Sequence, residues 1–314
     1  MATDSDNFSH TTASSSFRAP KFWVAIPDSS ISDQQAKRDK SIKISQLARA
    51  FSIFRVNRVY IYHDKTSSIH KNDLQILKTI LGYLDTPQYL RRRLYPLTPE
   101  LEFAGILRPI KAPHHKKFED IKSIRAGEIR VGVALKFKGT MHVDVGLGVM
   151  IPCDNMSYEE EGKRVNVKFI SGHPKPRVIK ASTKDTDASY WGYDIVEVPS
   201  LHALLKEVKS KRDAEIVITS RNGSHFKLKE QELLKSLKST RNLLIVFGAP
   251  KRAVEQILSG EGQNVERYRF TLNMFPFQGT ETVRLEEAIF GTLAILNNNL
   301  QIDTTKAQHS ITDN

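Results

Sequence analysis

Short apolar segments alternate with amphipathic ones along most of the chain, and this alternation restricts the fold more than any other sequence feature. Near the N-terminus, KFWVAIP (21–27) and RVYIYHD (58–64) have the length and the β-branched or aromatic content of strands. A helical segment follows the second strand, because Leu74, Leu77 and Leu81 recur at the three- or four-residue spacing of one helix face. The N-terminal part therefore predicts strand–helix–strand–helix.

The same order returns after residue 182. Strands are predicted at 214–220, 242–250 and 266–273, with helical segments between them, as in KEQELLKSLKS and KRAVEQILSG. Strands that alternate with helices form a parallel sheet covered by helices. We therefore predict an α/β fold whose sheet is assembled from both ends of the chain.

Between residues 96 and 181 the helical periodicity is absent. Short β-like pieces take its place, such as EIRVGVALKFK and RVNVKFISG, separated by glycines and charged turns. Such a series predicts a small barrel or sandwich, inserted into the α/β domain. The predicted organisation is a disordered tail at 1–20, a discontinuous α/β domain at 21–95 and 182–302, an inserted β domain at 96–181, and a tail at 303–314.

Positive charge is concentrated near the start of the insertion. The 47 lysines and arginines exceed the 35 acidic residues by 12 over the whole chain, and such an excess favours a polyanionic partner, most commonly a nucleic acid. Solubility is the competing explanation of the charge, and a solvated sheet edge is that of the cluster. The residues predicted to contact RNA are Arg91, Arg92, Arg93, Arg108, Lys111, Lys116, Lys117, Lys122 and Arg125, with Arg130 close by.

Several classes of protein are disfavoured by composition. Cys153 is the single cysteine, which excludes an intramolecular disulfide and a cysteine-based zinc site, and fits a reducing, cytoplasmic location. The sequence has no apolar run that approaches a membrane span. The adjacent pair His114–His115 is assigned to the surface of a turn rather than to a metal site, because neighbouring residues point to different sides of a regular element. No metal is predicted.

Three of the predicted strands end in loops of small and polar residues, namely TSRNGS (219–224), FGAP (247–250) and NMFPFQGT (273–280). Ligands of open α/β sheets bind beyond the carboxyl ends of the strands, and small residues let a ligand approach the backbone closely. The loops contain no GxGxxG or GxxxxGK[ST] phosphate motif. The pattern favours a nucleoside cofactor held by backbone groups.

The helix that follows the last loop is apolar nearly all round, with Leu285, Ile289, Leu293 and Leu296 among its residues. A helix with so broad an apolar surface is buried on more than one side. Two interpretations stay open at this point: a central core helix, or a helix that packs on its own domain and on a second copy of the chain.

The last 70 residues resemble a known family. FGAP and LNMFPFQGTETVRLEEAIFGTLAILN are similar to the C-terminal half of SPOUT-class RNA methyltransferases, whose loops thread into a trefoil knot. YWGY, TSRNGS and the knot segment resemble the branch of archaeal and eukaryotic RNA uridine-N3 methyltransferases, which carries an inserted OB-like barrel. This resemblance implies an α/β-knot domain with an OB-like insertion, methylation of a base in ribosomal RNA, and a homodimer formed through the knot region.

The resemblance also implies that the three loops hold S-adenosyl-L-methionine. The implied cofactor-binding residues are Thr219, Ser220, Asn222, Gly223, Phe247, Gly248, Ala249, Asn273, Met274, Phe275, Pro276, Gln278, Gly279 and Thr282. Methylation of uridine at N3 requires the loss of a proton, so a base or a stabilising cation is needed. Arg284, Arg221 and Glu281 are the candidates, with helix-end salt bridges as the structural alternative for Arg284.

Phe277 departs from the family pattern, since relatives carry glycine at this position of the knot. Phenylalanine resists positive φ, so we expect either a reshaped loop or weaker cofactor binding. Two alternative functions follow. The first is an RNA-binding or ribosome-assembly factor of the same fold with weak or no catalysis. The second is a nucleotide-binding enzyme of ordinary doubly wound topology, which the missing phosphate motifs disfavour.

Overall fold

The computed structural model describes residues 20–65, 71–116, 120–187 and 189–301. Lys117 and the two predicted tails, apart from Pro20, lie outside the described residues.

The described residues form a parallel sheet, an antiparallel sheet and the helices around them. The strands are β1 Lys21–Pro27, β2 Val56–Tyr62, β3 Ile129–Phe137, β4 Thr140–Asp144, β5 Met150–Pro152, β6 Arg164–Ser171, β7 Arg177–Lys180, β8 Asp194–Val198, β9 Glu215–His225, β10 Asn242–Val246 and β11 Phe270–Asn273. The α-helices are α1 Lys37–Ile53, α2 Lys71–Asp85, α3 Gln88–Leu94, α4 Thr183–Thr186, α5 Leu201–Lys211, α6 Phe226–Ser236, α7 Val254–Gly260 and α8 Leu285–Gln301. Short 3₁₀ turns occur at Pro99–Leu101, Ala104–Ile106, Ile121–Ser123, Tyr158–Glu160 and Val265–Arg267.

The first sheet has the order β11-β9-β10-β1-β2-β8, and all its strand pairs are parallel. Its central strands are buried on both faces, as expected when helices cover both sides of a parallel sheet. One face packs against residues such as Leu47 of α1 and Leu293 of α8, and the other against Leu204 of α5 and Ile257 of α7. The predicted α/β class with a parallel sheet is confirmed.

The second sheet has the order β5-β4-β3-β6-β7, is antiparallel, and lies between β2 and β8 in the sequence. It has a core of its own that includes Val143, Val167 and Phe169. The residues leading into it belong elsewhere, because Leu101 and Ile110 are buried in the core of the first sheet. The insertion of β structure falls where the sequence placed it, and its domain boundaries stay a prediction.

The prediction that His114–His115 lies on the surface of a turn is wrong. His114 is only 2% exposed, and both Nε2 atoms lie within hydrogen-bond distance of the Asp85 carbonyl oxygen at the end of α2. The pair follows Ile110, whose burial in the core draws the following segment inward. No helix among the described residues has the length and hydropathy to cross a membrane.

Candidate active site

A pocket of about 370 Å³ lies at the carboxyl ends of β9, β10 and β11. Three loops and one face of α8 form its walls. The lining residues are Thr219, Ser220, Arg221, Phe247, Gly248, Ala249, Pro250, Lys251, Arg252, Ala253, Val254, Leu272, Asn273, Met274, Phe275, Gln278, Glu281, Thr282, Val283, Leu285, Ala288 and Thr292. The three loops singled out in the sequence therefore meet around one cavity.

The first loop is a bulge within β9. Ile218 pairs with Thr271 while Ser224 pairs with Leu272, so residues 219–223 leave the sheet between these two contacts. The bulge passes very close to β11, because a Cβ atom at Gly223 would lie 2.6 Å from the Thr271 carbonyl oxygen. Only glycine permits this approach of two backbones.

Side-chain hydroxyls hold the first loop in place. Thr219 donates to the Val246 carbonyl oxygen at 2.8 Å, which ties the loop to β10. Ser220 donates to one carboxylate oxygen of Glu255, at the start of α7. The other oxygen of that carboxylate, Oε2, is buried and accepts no hydrogen bond. A ligand with a hydroxyl or an amino group would satisfy it.

The second loop is a tight turn from Phe247 to Ala253. Ala249 and Arg252 exchange two backbone hydrogen bonds, at 2.8 and 3.2 Å. The Tyr62 hydroxyl donates to the Phe247 carbonyl oxygen at 2.6 Å. Burial, followed by the charges of Asp64 and other nearby carboxylates, raises the pKa of Tyr62 well above its usual value. The hydroxyl therefore stays protonated and keeps the start of the loop anchored.

The third loop depends on Asn273. Its side-chain oxygen accepts from the Phe275 amide at 2.9 Å, and its amide group donates to the Arg221 carbonyl oxygen at 2.9 Å. Gln278 stabilises the far side of the loop by donating to the carbonyl oxygens of Thr280 and Glu281. Asn273 and Gln278 thus shape the backbone around the pocket, and Asn273 links the third loop to the first.

Phe277 has a φ of 63°, in the left-handed region. The expectation that phenylalanine would avoid this conformation is wrong, since the loop keeps the backbone geometry that glycine would favour. The side chain is 95% exposed, with one edge contact to the His225 ring at 5.6 Å. The left-handed region costs about 1–2 kcal/mol for a residue with a Cβ, so the loop holds Phe277 under local strain.

We expect Phe277→Gly to stabilise the protein by about 0.5–1 kcal/mol. Relief of the left-handed strain exceeds the extra entropy that glycine gives the unfolded chain, and the exposed ring contributes little packing. Thermal unfolding measures the effect. Phe277→Ala, which removes the ring but keeps the Cβ, is the matched control and should show no gain. A glycine variant less stable than the alanine variant would contradict this explanation.

The three predicted catalytic side chains do not lie together. Arg221 and Glu281 line the pocket, and the Arg221 guanidinium donates to the Glu281 carbonyl oxygen at 2.9 Å. Arg284 does not line it, and its backbone amide donates to Glu287 in the first turn of α8. Four of the predicted cofactor residues also lie outside the lining set: Asn222, Gly223, Pro276 and Gly279.

Two lining residues were missed by the sequence reasoning. Thr292 is fully buried in α8 and its hydroxyl has no hydrogen-bond partner; a lone hydroxyl in an apolar helix was the available signal. Arg252 follows FGAP directly. Its Nη2 is 2.5 Å from Oδ2 of Asp64, which is 0% exposed and also accepts from the Ser29 hydroxyl at 3.2 Å. A buried carboxylate therefore holds this guanidinium at the pocket wall.

The predicted RNA-contacting side chains fall into two groups. Some are engaged within the protein: Arg91 donates to the carbonyl oxygens of Thr86 and Leu84, Arg93 pairs with Asp144, and Lys116 pairs with Glu128. The buried Arg130 also pairs with Glu128. The exposed group consists of Arg92, Arg108, Lys111, Lys122 and Arg125.

The comparisons with known proteins agree with this site. A family model described as "Putative RNA methyltransferase" matches residues 21–296. Since the match extends over most of the chain, the chain belongs to this family of RNA methyltransferases. The family indicated by the sequence resemblance is thereby confirmed.

Relatives have been named in animals and archaea. The 28S rRNA (uridine-N(3))-methyltransferase of Drosophila melanogaster is 26% identical over 321 residues, covering 92% of this chain and 64% of that protein. This chain therefore spans less than two thirds of the length of the fly protein. The mouse protein of the same name is 28% identical over 299 residues, covering 87% of this chain and 75% of its own.

An uncharacterized protein of Haloarcula marismortui is 28% identical over 291 residues, covering 87% of this chain and 97% of its own. Among solved structures, the SpoU methyltransferase AviRb from Streptomyces viridochromogenes has a TM-score of 0.35 and 9% identity. The similarity covers 92% of this chain and 62% of that one.

Proposed function

We propose that the protein transfers a methyl group from S-adenosyl-L-methionine to N3 of a uridine in ribosomal RNA. The pocket formed by the three loops at the carboxyl ends of β9, β10 and β11 carries this proposal. The family supplies the reaction class, and relatives named as 28S rRNA uridine-N3 methyltransferases supply the base and the RNA.

The residues present fit S-adenosyl-L-methionine. A pocket of about 370 Å³ is in the range used for ligands of this size. A Cβ atom at Gly248 would lie 2.5 Å from the Arg252 carbonyl oxygen, so the second loop is built around a glycine. The Thr292 hydroxyl and Glu255 Oε2 are buried polar atoms without partners, and the hydroxyl and amino groups of the cofactor would supply them.

The chemistry required of the protein is alignment and charge stabilisation. The bound cofactor supplies an electrophilic methyl group on its sulfonium. The loops orient the two reactants, which is the main need of an in-line transfer. When the N3 proton of uridine leaves, negative charge develops on the ring and on its two carbonyl oxygens. A cation held beside the pocket lowers the energy of that state.

We assign this stabilising role to Arg252. It lines the pocket, its side chain is 25% exposed, and its Asp64 partner is buried. Asp64 is held in turn by Ser29 and through its amide by Asp28. This anchoring fixes the guanidinium before substrate arrives, which is the preorganisation that electrostatic catalysis needs. Among the earlier candidates, Arg221 and Glu281 link the first and third loops.

We further propose that the pocket loops form a trefoil knot. The connection from β10 to β11 passes β9, because β11 pairs with the far edge of β9. Asn273 and Arg221 then bind the third loop to the first. These contacts support the knot that the sequence resemblance implies.

The antiparallel sheet is proposed to be the OB-like, RNA-binding insertion at 96–181, with the exposed cations Arg92, Arg108, Lys111, Lys122 and Arg125 contacting phosphates. A homodimer through the knot region is supported by Phe290 of α8, which is 47% exposed beside Phe54 and the 49% exposed Ile53. The single cysteine supports the proposed cytoplasmic location.

The alternative of an inactive assembly factor depended on Phe277. Because Phe277 adopts the left-handed conformation with its ring in solvent, the loop geometry no longer favours that alternative. Methyl transfer is therefore the function that the site supports best.

The test has two parts. Calorimetry should detect binding of S-adenosyl-L-methionine, and absence of binding at millimolar cofactor would refute the methyltransferase proposal. Incubation with tritium-labelled cofactor and unmodified large-subunit RNA, followed by nucleoside analysis, should give N3-methyluridine. A different methylated nucleoside would keep the enzyme class and overturn the base. Binding without transfer to any RNA would favour the assembly factor.

A further inference from the structure

A buried cluster of Asp85, His114 and His115 lies away from the pocket, where the end of α2 meets the segment that leads into the second sheet. One potential metal-binding atom of each side chain lies within 4.8 Å of the other two. Asp85 and His114 are 1% and 2% exposed, and His115 is half-buried. The methyl-transfer proposal makes no use of these residues.

Hydrogen bonding within the cluster is incomplete for neutral imidazole rings. The two nitrogens of His115 lie 2.5 Å from the Ile110 carbonyl oxygen and 2.9 Å from the Asp85 carbonyl oxygen. Both oxygens only accept, whereas a neutral imidazole has one N–H to donate. One lone pair of His115 therefore faces an acceptor, which is unfavourable unless a cation lies nearby.

Two further atoms lack partners. His114 Nδ1 and Asp85 Oδ1 are buried and make no hydrogen bond. The Nε2 atom of His114 lies 3.0 Å from the Asp85 carbonyl oxygen and 3.4 Å from Asp85 Oδ1. Four-coordinate zinc with bonds of about 2.0–2.1 Å separates its ligand atoms by about 3.3 Å. The spacings in the cluster are close to that value.

We propose that Asp85, His114 and His115 form a structural zinc site. The ligands are the Nε2 atoms of both histidines and Oδ1 of Asp85, with the Asp85 carbonyl oxygen in position to be the fourth. Nitrogen and carboxylate donors suit zinc. The supporting contacts around the ligands are also present: His115 Nδ1–H donates to Ile110, and Arg164 donates to Asp85 Oδ2 at 2.6 Å.

The site would join three parts of the chain. Asp85 ends α2, the histidines lie in the linker after Ile110, and Arg164 belongs to β6 of the second sheet. Zinc would fix the direction in which the second sheet leaves the α/β layer. Burial of the cluster, without an open position toward solvent at His114, favours a structural ion over a catalytic one.

The test uses the full-length chain without a histidine tag, stripped with a chelator and titrated with zinc chloride. We expect one zinc ion per chain, a melting temperature that rises with zinc, and affinity at least tenfold weaker in His115→Gln. His63→Gln is the matched control, because His63 also contacts two carboxylates, Asp28 and Glu197, and it should bind zinc as the wild type does.

Three results would overturn the proposal. These are no zinc binding by the stripped wild type, unchanged affinity in His115→Gln, or loss of affinity in His63→Gln instead. If His115→Gln does not fold, cobalt titration of the wild type decides the matter. The visible bands of four-coordinate Co²⁺, displaced by zinc, support the site, and their absence overturns it in favour of a doubly protonated His115.

Discussion

Replacing Arg252 with alanine is expected to slow methyl transfer by about 10²–10³-fold, which is the usual effect of removing one charge-stabilising donor from an active site. The guanidinium lies at the pocket wall, where its charge would offset the negative charge that develops as uridine loses its N3 proton. Single-turnover transfer of labelled methyl groups to unmodified RNA measures the rate. The affinity for S-adenosyl-L-methionine should change little.

Alanine at position 252 also removes the cation that faces the buried Asp64 carboxylate, so loss of stability must be separated from loss of catalysis. Arg252→Lys keeps a positive charge and loses the planar fork. We expect it to fold as the wild type does and to be at least tenfold slower. Its rate should rise with pH more steeply than that of the wild type, because the base then loses its proton without help.

A merely structural role for Arg252 would give a different pattern. The lysine variant would then transfer methyl groups at the wild-type rate, and the alanine variant would lose stability and cofactor affinity together. Lys206→Ala, which removes an exposed cation on α5, serves as the control for a general change in charge.

Gly248→Ala is expected to weaken binding of S-adenosyl-L-methionine by roughly tenfold to a hundredfold. The added Cβ would lie 2.5 Å from the Arg252 carbonyl oxygen and 3.0 Å from the Val254 amide nitrogen. Both are backbone atoms, so the second loop itself must move, and such overpacking costs about 1–3 kcal/mol. Calorimetry with the cofactor measures the loss.

Gly105→Ala is the matched control, because a Cβ at this position would meet no atom within 4 Å. It should bind the cofactor as the wild type does. If Gly248→Ala binds normally while remaining folded, the second loop does not contact the cofactor and the assignment of the pocket is wrong.

The first sheet was predictable because its strands are short, apolar and regularly separated by amphipathic helices. The order of the strands was not predictable from periodicity, since β10 and β1 come from opposite ends of the chain and pair through contacts that no local pattern encodes. The bulge in β9 was also missed: residues 219–223 were expected after the strand, whereas the strand resumes at Ser224 and pairs again with β11.

At the site, the loops were predictable and the individual side chains less so. Glycine and small polar residues after three strands indicated where a ligand lies. The pairing of Arg252 with Asp64 could not be seen, because the two residues come together only when β2 and β10 lie in one sheet. The burial of His114 was missed for the same reason, since it depends on where Ile110 packs.

The strand order also determines when the protein can fold during synthesis. Ala25 of β1 pairs with Val246 of β10, so the centre of the first sheet lacks a neighbour until most of the chain has left the ribosome. The second sheet pairs only strands that are close in sequence. Because local contacts form fastest, we expect the inserted sheet to be structured first. It would then hold the two halves of the α/β domain near each other while the last strand is still being made.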